Sequence, residues 1–213
     1  MVTSFDLFGT LVDVPRPDDP AAAVAAELRN REVTVPGDWS VAYGERHLDV
    51  PEGAELPLSA HVAAALKSRG VDPMDGDEYG NVVRRAVVAA FDPADVATRP
   101  GAVAAVSAAA EGGPVAVLSN CSVPELPRRA LRRSALEVDA FEAVVSSLSC
   151  GWRKPDRRAF AAVADRFDAP MADLVHVGDD PEADGGADAA GARCILTSET
   201  PLEAVPDLLE AER

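Results

Sequence analysis

Four stretches of the sequence place an acid, a hydroxyl or a lysine just after a short apolar run, or in the loop beyond one. Asp6 stands at the carboxyl end of the strand expected in the run 2–7 and leads into Leu7-Phe8-Gly9-Thr10. Ser119-Asn120 follows residues 115–118. Lys154-Pro155 stands in the loop beyond residues 143–146. Gly178-Asp179-Asp180, with Asp184 close behind, follows residues 174–177. Singly, each has a plain structural use: a helix cap, a turn, an exposed lysine before proline, an acidic loop. Together they are equipped for covalent chemistry. A carboxylate attacks phosphorus or carbon when it is held in line and partly stripped of water. Carboxylates brought side by side repel, and one takes up a proton unless a cation relieves them. A lysine neutralises a carboxylate and a transferring group, and a serine hydroxyl donates a hydrogen bond to a developing charge.

The surrounding pattern predicts elements able to bring these points together. Short apolar runs at 2–7, 115–118, 143–146, 174–177 and 194–196 alternate with helical stretches at 102–111, 124–135, 156–167, 182–190 and 202–210. Strands alternating with helices imply right-handed crossovers and a parallel sheet. Open sheets of that kind carry their reactive groups beyond the carboxyl ends of the strands. Between the first strand and the rest, proline and glycine breaks separate helical stretches at 21–30, 39–48, 58–69 and 81–91, with no strand pattern. The expected organisation is therefore an α/β core from 1–13 and 97–213, interrupted by a helical insert at 14–96.

The residues at the four points carry a resemblance. Ser-Phe-Asp-Leu-Phe-Gly-Thr-Leu-Val-Asp, Val-Leu-Ser-Asn, Trp-Arg-Lys-Pro-Asp-Arg-Arg-Ala-Phe and His-Val-Gly-Asp-Asp-Pro-Glu-Ala-Asp-Gly-Gly-Ala occur in that order. They resemble the four motifs of the haloacid dehalogenase (HAD) superfamily, over residues 1–13 and 99–197. The resemblance implies a three-layer Rossmann-like core with a five-stranded parallel sheet in the order 3-2-1-4-5, and a small helical cap over the site. It makes Asp6 the covalent nucleophile, Lys154 its cationic partner and Ser119 a hydrogen-bond donor to the transferring group. Asn120, Thr10 and Gly9 would line the substrate side, Thr10 chiefly by fixing the turn. The implied cofactor is Mg2+, held by Asp6, the main-chain carbonyl of Phe8 and Asp179. Asp184, or Asp180, would join through water or from behind.

One position departs from the family phosphatases. They carry a second aspartate where this chain has Phe8. That aspartate protonates the leaving alkoxide and later activates water, a contribution of about 10²- to 10⁴-fold. Three readings follow. The first is a magnesium-dependent phosphatase acting on a small phosphate monoester through an aspartyl-phosphate, with a leaving group that needs little protonation or with Asp13 or Asp180 as substitute. The second is a 2-haloacid dehalogenase working through an aspartyl ester without metal, since halide departs without a proton. Family dehalogenases carry an aromatic residue at this point, and Arg16 is a candidate carboxylate clamp. They lack the metal-binding Gly-Asp, however, which Gly178-Asp179 resembles. The third is a HAD fold that has lost catalysis and serves as a binding partner.

Other residues read more plainly. His176, inside a strand pattern, is expected to be a packed core histidine. Trp39, Tyr43 and His47 share one helical face and read as a core stripe of the insert, with a substrate-facing patch as the alternative. Arg128, Arg129, Arg132 and Arg133 form a solvated face expected to pair with acids such as Glu125 and Glu137. Composition narrows the partners. Acids outnumber bases 36 to 20, for a formal net charge of -16, which disfavours nucleic acid and anionic membranes. Only Lys67 and Lys154 are lysines. An acid-rich, lysine-poor chain suits a high-salt cytoplasm, where screening removes self-repulsion. Three cysteines without a C-x-x-C spacing predict no disulfide framework. No leader pattern and no membrane-length apolar run is visible, so a cytoplasmic enzyme acting on a small molecule, as monomer or homodimer, is expected.

Overall fold

The computed structural model describes residues 1–73 and 81–211; residues 74–80, inside the expected insert, and 212–213 lie outside the described residues. The chain runs β1 (Val2–Phe5), β2 (Val12–Asp13), α1 (Pro20–Arg29), α2 (Trp39–Gly44), α3 (Leu58–Ser68) and α4 (Val82–Ala90). It continues through β3 (Ala97–Thr98), α5 (Ala102–Gly112), β4 (Val115–Ser119), α6 (Leu126–Arg133), β5 (Ala143–Ser146) and α7 (Ser147–Cys150). It then forms α8 (Arg157–Ala164), β6 (Leu174–Gly178), α9 (Gly186–Ala190), β7 (Arg193–Leu196) and α10 (Val205–Glu210).

β5, β4, β1, β6 and β7 lie side by side in that order, all parallel. Numbered by appearance within this sheet, they give the expected 3-2-1-4-5. Strands buried on both faces are mostly apolar, and β1, β4 and β6 are buried throughout, with Thr3, Ser4, Ser119 and His176 as their buried polar residues. Side chains still alternate between faces. Val115 and Val117 join Phe5, Val175 and Val177 in one apolar cluster with α5, α6 and α10. Ala116 and Leu118 join Leu174, Phe160 and Val163 in another, with α8 and α9. The result is a three-layer Rossmann-like core built mainly from valine, leucine and alanine.

α1 to α4 pack on one another around Val24, Leu28, Trp39, Val62, Leu66, Val83 and Val87. Asp19 caps α1, accepting from the Ala22 N–H at 2.9 Å, with Pro20 opening the helix. The segment expected as a helix at 39–48 stops at Gly44, where weak helix propensity meets an extended Glu45. His47 therefore leaves the helical face but folds back, its ring Nε2 donating to the Ala42 carbonyl at 2.7 Å. Trp39 is core, as expected of the stripe. The stretch expected as a helix at 182–190 begins only at Gly186. Asp180 uses its side chain on the Glu182 and Ala183 N–H groups and its carbonyl on that of Asp184, holding the chain in turns.

The sequence pattern also missed a two-stranded antiparallel ribbon. β2 and β3 pair Val12 with Thr98 and Asp13 with Ala97. Two residues per strand are too few for alternation to register. The ribbon brackets residues 14–96, so both crossings of the chain into the helical segment run side by side. The three cysteines are unpaired, and among the described residues no helix is long and apolar enough to cross a membrane.

Candidate active site

Because β1 is central, its carboxyl end is flanked by those of β4 and β6. Phe5 is in register with Val117 on one side and Val177 on the other. Asp6, Ser119 and Gly178-Asp179 therefore emerge at one edge. The Asp6 N–H donates to the Val177 carbonyl at 2.8 Å, which fixes the nucleophile candidate to β6. The chain then turns sharply, with Gly9 donating to the Val12 carbonyl at 2.9 Å and Leu11 to that of Leu7 at 3.0 Å. Thr10 is fully buried and donates to Asp179 Oδ1 at 2.7 Å. It orients a carboxylate rather than facing a substrate. Gly9 does face the cleft, beside Phe8, Asp13 and Asp179.

Lys154 arrives from the loop before α8 and is buried. Its ammonium lies 3.0 Å from Asp6 Oδ1 and 2.5 Å from Asp184 Oδ1. The Asp6 contact is an ion pair off the hydrogen-bond line, and Asp6 Oδ1 is buried with no hydrogen bond. Asp184 is fully buried and fully engaged. Its Oδ1 also accepts from His176 Nε2 at 2.9 Å, and its Oδ2 accepts from the Asp180 N–H at 2.9 Å. An ionised carboxylate only accepts, so His176 carries its proton on Nε2, and Nδ1 accepts from the Ser4 hydroxyl at 2.8 Å. His176 is thus the buried core residue expected of it. It also links β1 and β6 to Asp184, a role its place in a strand did not reveal.

Charge in this site follows from burial. Burial pushes the Asp6 pKa from 3.8 up to about 6; Lys154 works against the rise and Asp184 adds to it. Burial also opposes ionisation of Asp184, but the His176 hydrogen bond and the Lys154 charge outweigh it and hold this carboxyl well below the usual range. Burial, reinforced by Lys154, pushes His176 down to about 4, so its imidazole is neutral at pH 7.

Oxygen atoms of Asp6, Asp179 and Asp184 all lie within 4.8 Å of one another. An all-oxygen set of carboxylates fits a hard divalent cation. Asp6 and Asp179 have capacity for direct ligation, whereas both oxygens of Asp184 are already taken. Ser119 ends β4 and is buried at this edge. Asn120 spends both polar atoms on Lys154, accepting from its N–H at 2.8 Å and donating to its carbonyl at 2.9 Å. Its side chain thereby joins two loops at the edge of the opening beside Phe8.

Two openings meet at Phe8. One, of about 550 Å³, is lined by Gly9, Asp13, Arg16, Asp95 and Asp179 among others. The second, of about 460 Å³, is largely apolar and takes in Val14, Tyr43, Leu58, Phe91, Asn120, Leu126, Arg16 and Arg153. Of the two acids expected as substitutes at Phe8, Asp13 lines the first cleft and pairs with Arg99 at 3.0 Å. Asp180 is occupied in its own turn. Asp95 was not foreseen. The β2–β3 ribbon delivers it beside Asp13, and only knowledge of that pairing would have placed it.

A family model for haloacid dehalogenase-like hydrolases matches residues 3–191. The chain belongs to this family. No curated protein matches the hydrolase. Among solved structures it is similar to the 2-haloacid dehalogenase of Pseudomonas syringae pv. Tomato DC3000, at 20% identity and TM-score 0.65, covering 100% of this chain and 99% of that one. It is also similar to a predicted phosphoglycolate phosphatase of Haemophilus somnus 129pt, at 19% identity and TM-score 0.57, covering 100% and 97%. A third is the L-2-haloacid dehalogenase of Xanthobacter autotrophicus, at 19% identity and TM-score 0.53, covering 98% and 82%. At such identities the likeness concerns the fold that this HAD-like hydrolase shares with enzymes of two chemistries.

Proposed function

We propose that the hydrolase is a magnesium-dependent phosphatase acting on a small phosphate monoester with a good leaving group. The observation that carries this reading is the convergence of carboxylate oxygens of Asp6, Asp179 and Asp184 within 4.8 Å of one another, beside the Lys154 ammonium. A bound magnesium ion would supply charge neutralisation for the phosphoryl oxygens, held by Asp6, the Phe8 carbonyl and Asp179. An Asp6 carboxylate oxygen attacks phosphorus, the bond to the ester oxygen breaks, and its electron pair leaves on a phenolate or similar anion. Water then attacks phosphorus of the aspartyl phosphate, its proton passing to Asp13, and phosphate departs as the Asp6 carboxylate is restored. Lys154 balances Asp6 throughout, with Asp184 and His176 holding its ammonium in place. Ser119 donates to a non-bridging oxygen. Residues 14–96 act as a cap that excludes water and selects the substrate.

Phe8 transfers no proton, so this phosphatase favours leaving groups that depart as stable anions. The same residue, with the apolar cavity and Arg16 beside it, supports a second reading: halide release from a 2-haloacid, with Asp6 attacking carbon and no metal required. A third, a non-catalytic binding protein, is supported only by the missing acid. The deciding experiment is hydrolysis of p-nitrophenyl phosphate in molar salt, with and without magnesium, beside halide release from 2-chloropropionate, each with an Asp6→Asn control. Metal-dependent phosphate release that disappears in the control is the expected outcome. Halide release unaffected by chelator moves the assignment to the dehalogenase, and silence in both assays moves it to the binding protein.

A further inference from the structure

Besides the β2–β3 ribbon, the insert touches the core at a second place. Ala54 forms an antiparallel bridge with Trp152. Around it the Glu55 N–H donates to the Gly151 carbonyl at 2.9 Å, and the Arg153 N–H to the Gly53 carbonyl at 2.8 Å. Further on, the Leu58 N–H donates to the Ser122 carbonyl at 3.0 Å. These bonds lay one stretch of the insert across two core loops, one following Ser119-Asn120 and the other leading to Lys154.

The Glu55 side chain sits between those loops and is only 3% exposed. Its Oε2 accepts from the Ser147 hydroxyl and, at 2.7 Å, from Arg153 Nη1. The Ser147 hydroxyl in turn accepts from the Cys121 N–H at 2.8 Å. Cys121 follows Asn120, Arg153 precedes Lys154, and the Asn120 side chain is bonded twice to the Lys154 main chain. One carboxylate oxygen from the insert thus closes a ring through Ser147, Cys121, Asn120, Lys154 and Arg153. A buried carboxylate is costly unless it is paired and hydrogen-bonded, and an apolar residue would fill the same space with less desolvation. The placement of an acid here is explained by the two loops it joins.

We infer that Glu55 is a positioning residue: it sets the separation of the loops carrying Asn120 and Lys154, and makes that separation depend on the insert being seated. The inference rests on the reading that these loops handle the reacting group. It touches no substrate itself. Its action runs through the Cys121 N–H on one side and Arg153 on the other.

The test compares Glu55→Ala and Glu55→Gln with the unaltered full chain by amide hydrogen exchange and by steady-state hydrolysis of p-nitrophenyl phosphate with magnesium. Glu55→Ala is expected to speed exchange at Cys121, Arg153 and Lys154 by about tenfold or more while β1 and β6 stay protected. It should lower kcat with little change in KM. Glu55→Gln, which keeps an acceptor for Ser147, should restore most of both and serves as the variant if the alanine form does not fold. Exchange that rises equally across β1 and β6 assigns Glu55 to general stability and overturns the inference. So does unchanged exchange at the loops, or loosened loops with an unchanged kcat. If the unaltered enzyme hydrolyses no aryl phosphate, it is the functional reading that fails. The exchange pattern alone then decides whether Glu55 couples the loops.

Discussion

In the proposed role Asp6 must be stripped of water to attack, and that same burial makes its ionised form costly. Its pKa of about 6 in the fold compares with 3.8 for the free group. Between those values the folded chain keeps a proton that the unfolded chain has lost. Its stabilising contribution is complete below the lower value and is lost as pH rises through the upper one. A divalent cation binds the ionised carboxylate and reverses that loss. Magnesium should therefore raise Tm little at about pH 5 and clearly more at about pH 7.5. Thermal melts with and without magnesium at the two pH values check this; equal shifts, or none, would count against a cation at Asp6. The sequence made Asp6, Lys154, Asp179 and Asp184 readable because each follows or trails an apolar run. It hid the Ser4–His176–Asp184 connection. A histidine in a strand gives no sign of partners that lie on a neighbouring strand and in a following turn.

At the scale of elements, the turn after β1 is the most demanding. Gly9 has φ of +93°, and a Cβ there would stand 2.6 Å from Asp179 Oδ2. A side chain at Gly9 is disfavoured by its backbone and collides with the carboxylate that Thr10 holds. Gly9→Ala is expected to cost about 1–3 kcal/mol in urea denaturation and to abolish the magnesium-induced rise in Tm by displacing Asp179. A variant with the unaltered magnesium response would remove Asp179 from the cation site. Gly178 is constrained by space alone, since a Cβ would meet the Asp184 carboxylate at 2.1 Å. Elements of this kind were legible where a periodic run was long enough: all five strands of the sheet, and α1, α3, α4, α5 and α8 within a few residues. They were lost where structure depends on pairing across the chain, as in the β2–β3 ribbon, or on side chains competing for backbone donors, as Asp180 does ahead of α9.

Over the whole molecule, a net charge of -16 in 213 residues sets long-range repulsion against short-range pairing. Several arginines are committed to particular acids: Arg69 to Asp38 and Glu45, Arg129 and Arg133 to Asp92, Arg84 to Glu125. Of the basic helix face expected to be solvated and paired, Arg129 meets Glu125 and Asp92 and Arg133 meets Asp92, while Arg128 and Arg132 are exposed. Exposed pairs of this kind are worth about 0–1 kcal/mol each and weaken in salt. The unpaired excess of acids acts over longer distances, and the screening length falls from about 10 Å at 0.1 M to about 3 Å at 1 M. Relief of repulsion should therefore win, and Tm should rise by several degrees between about 0.1 M and about 2 M KCl, mostly over the first molar. A flat or falling Tm would mean that the local arginine pairs dominate. The buried Lys154–Asp184 pair supplies an internal control, because ions in solution do not reach it. Asp184→Asn removes one of the two carboxylates beside a buried ammonium and leaves Asp6 as the other, a loss of up to about 3–5 kcal/mol. Measured by urea denaturation, that loss should be the same at both salt concentrations, which separates the chemistry of the site from the charge balance of the surface.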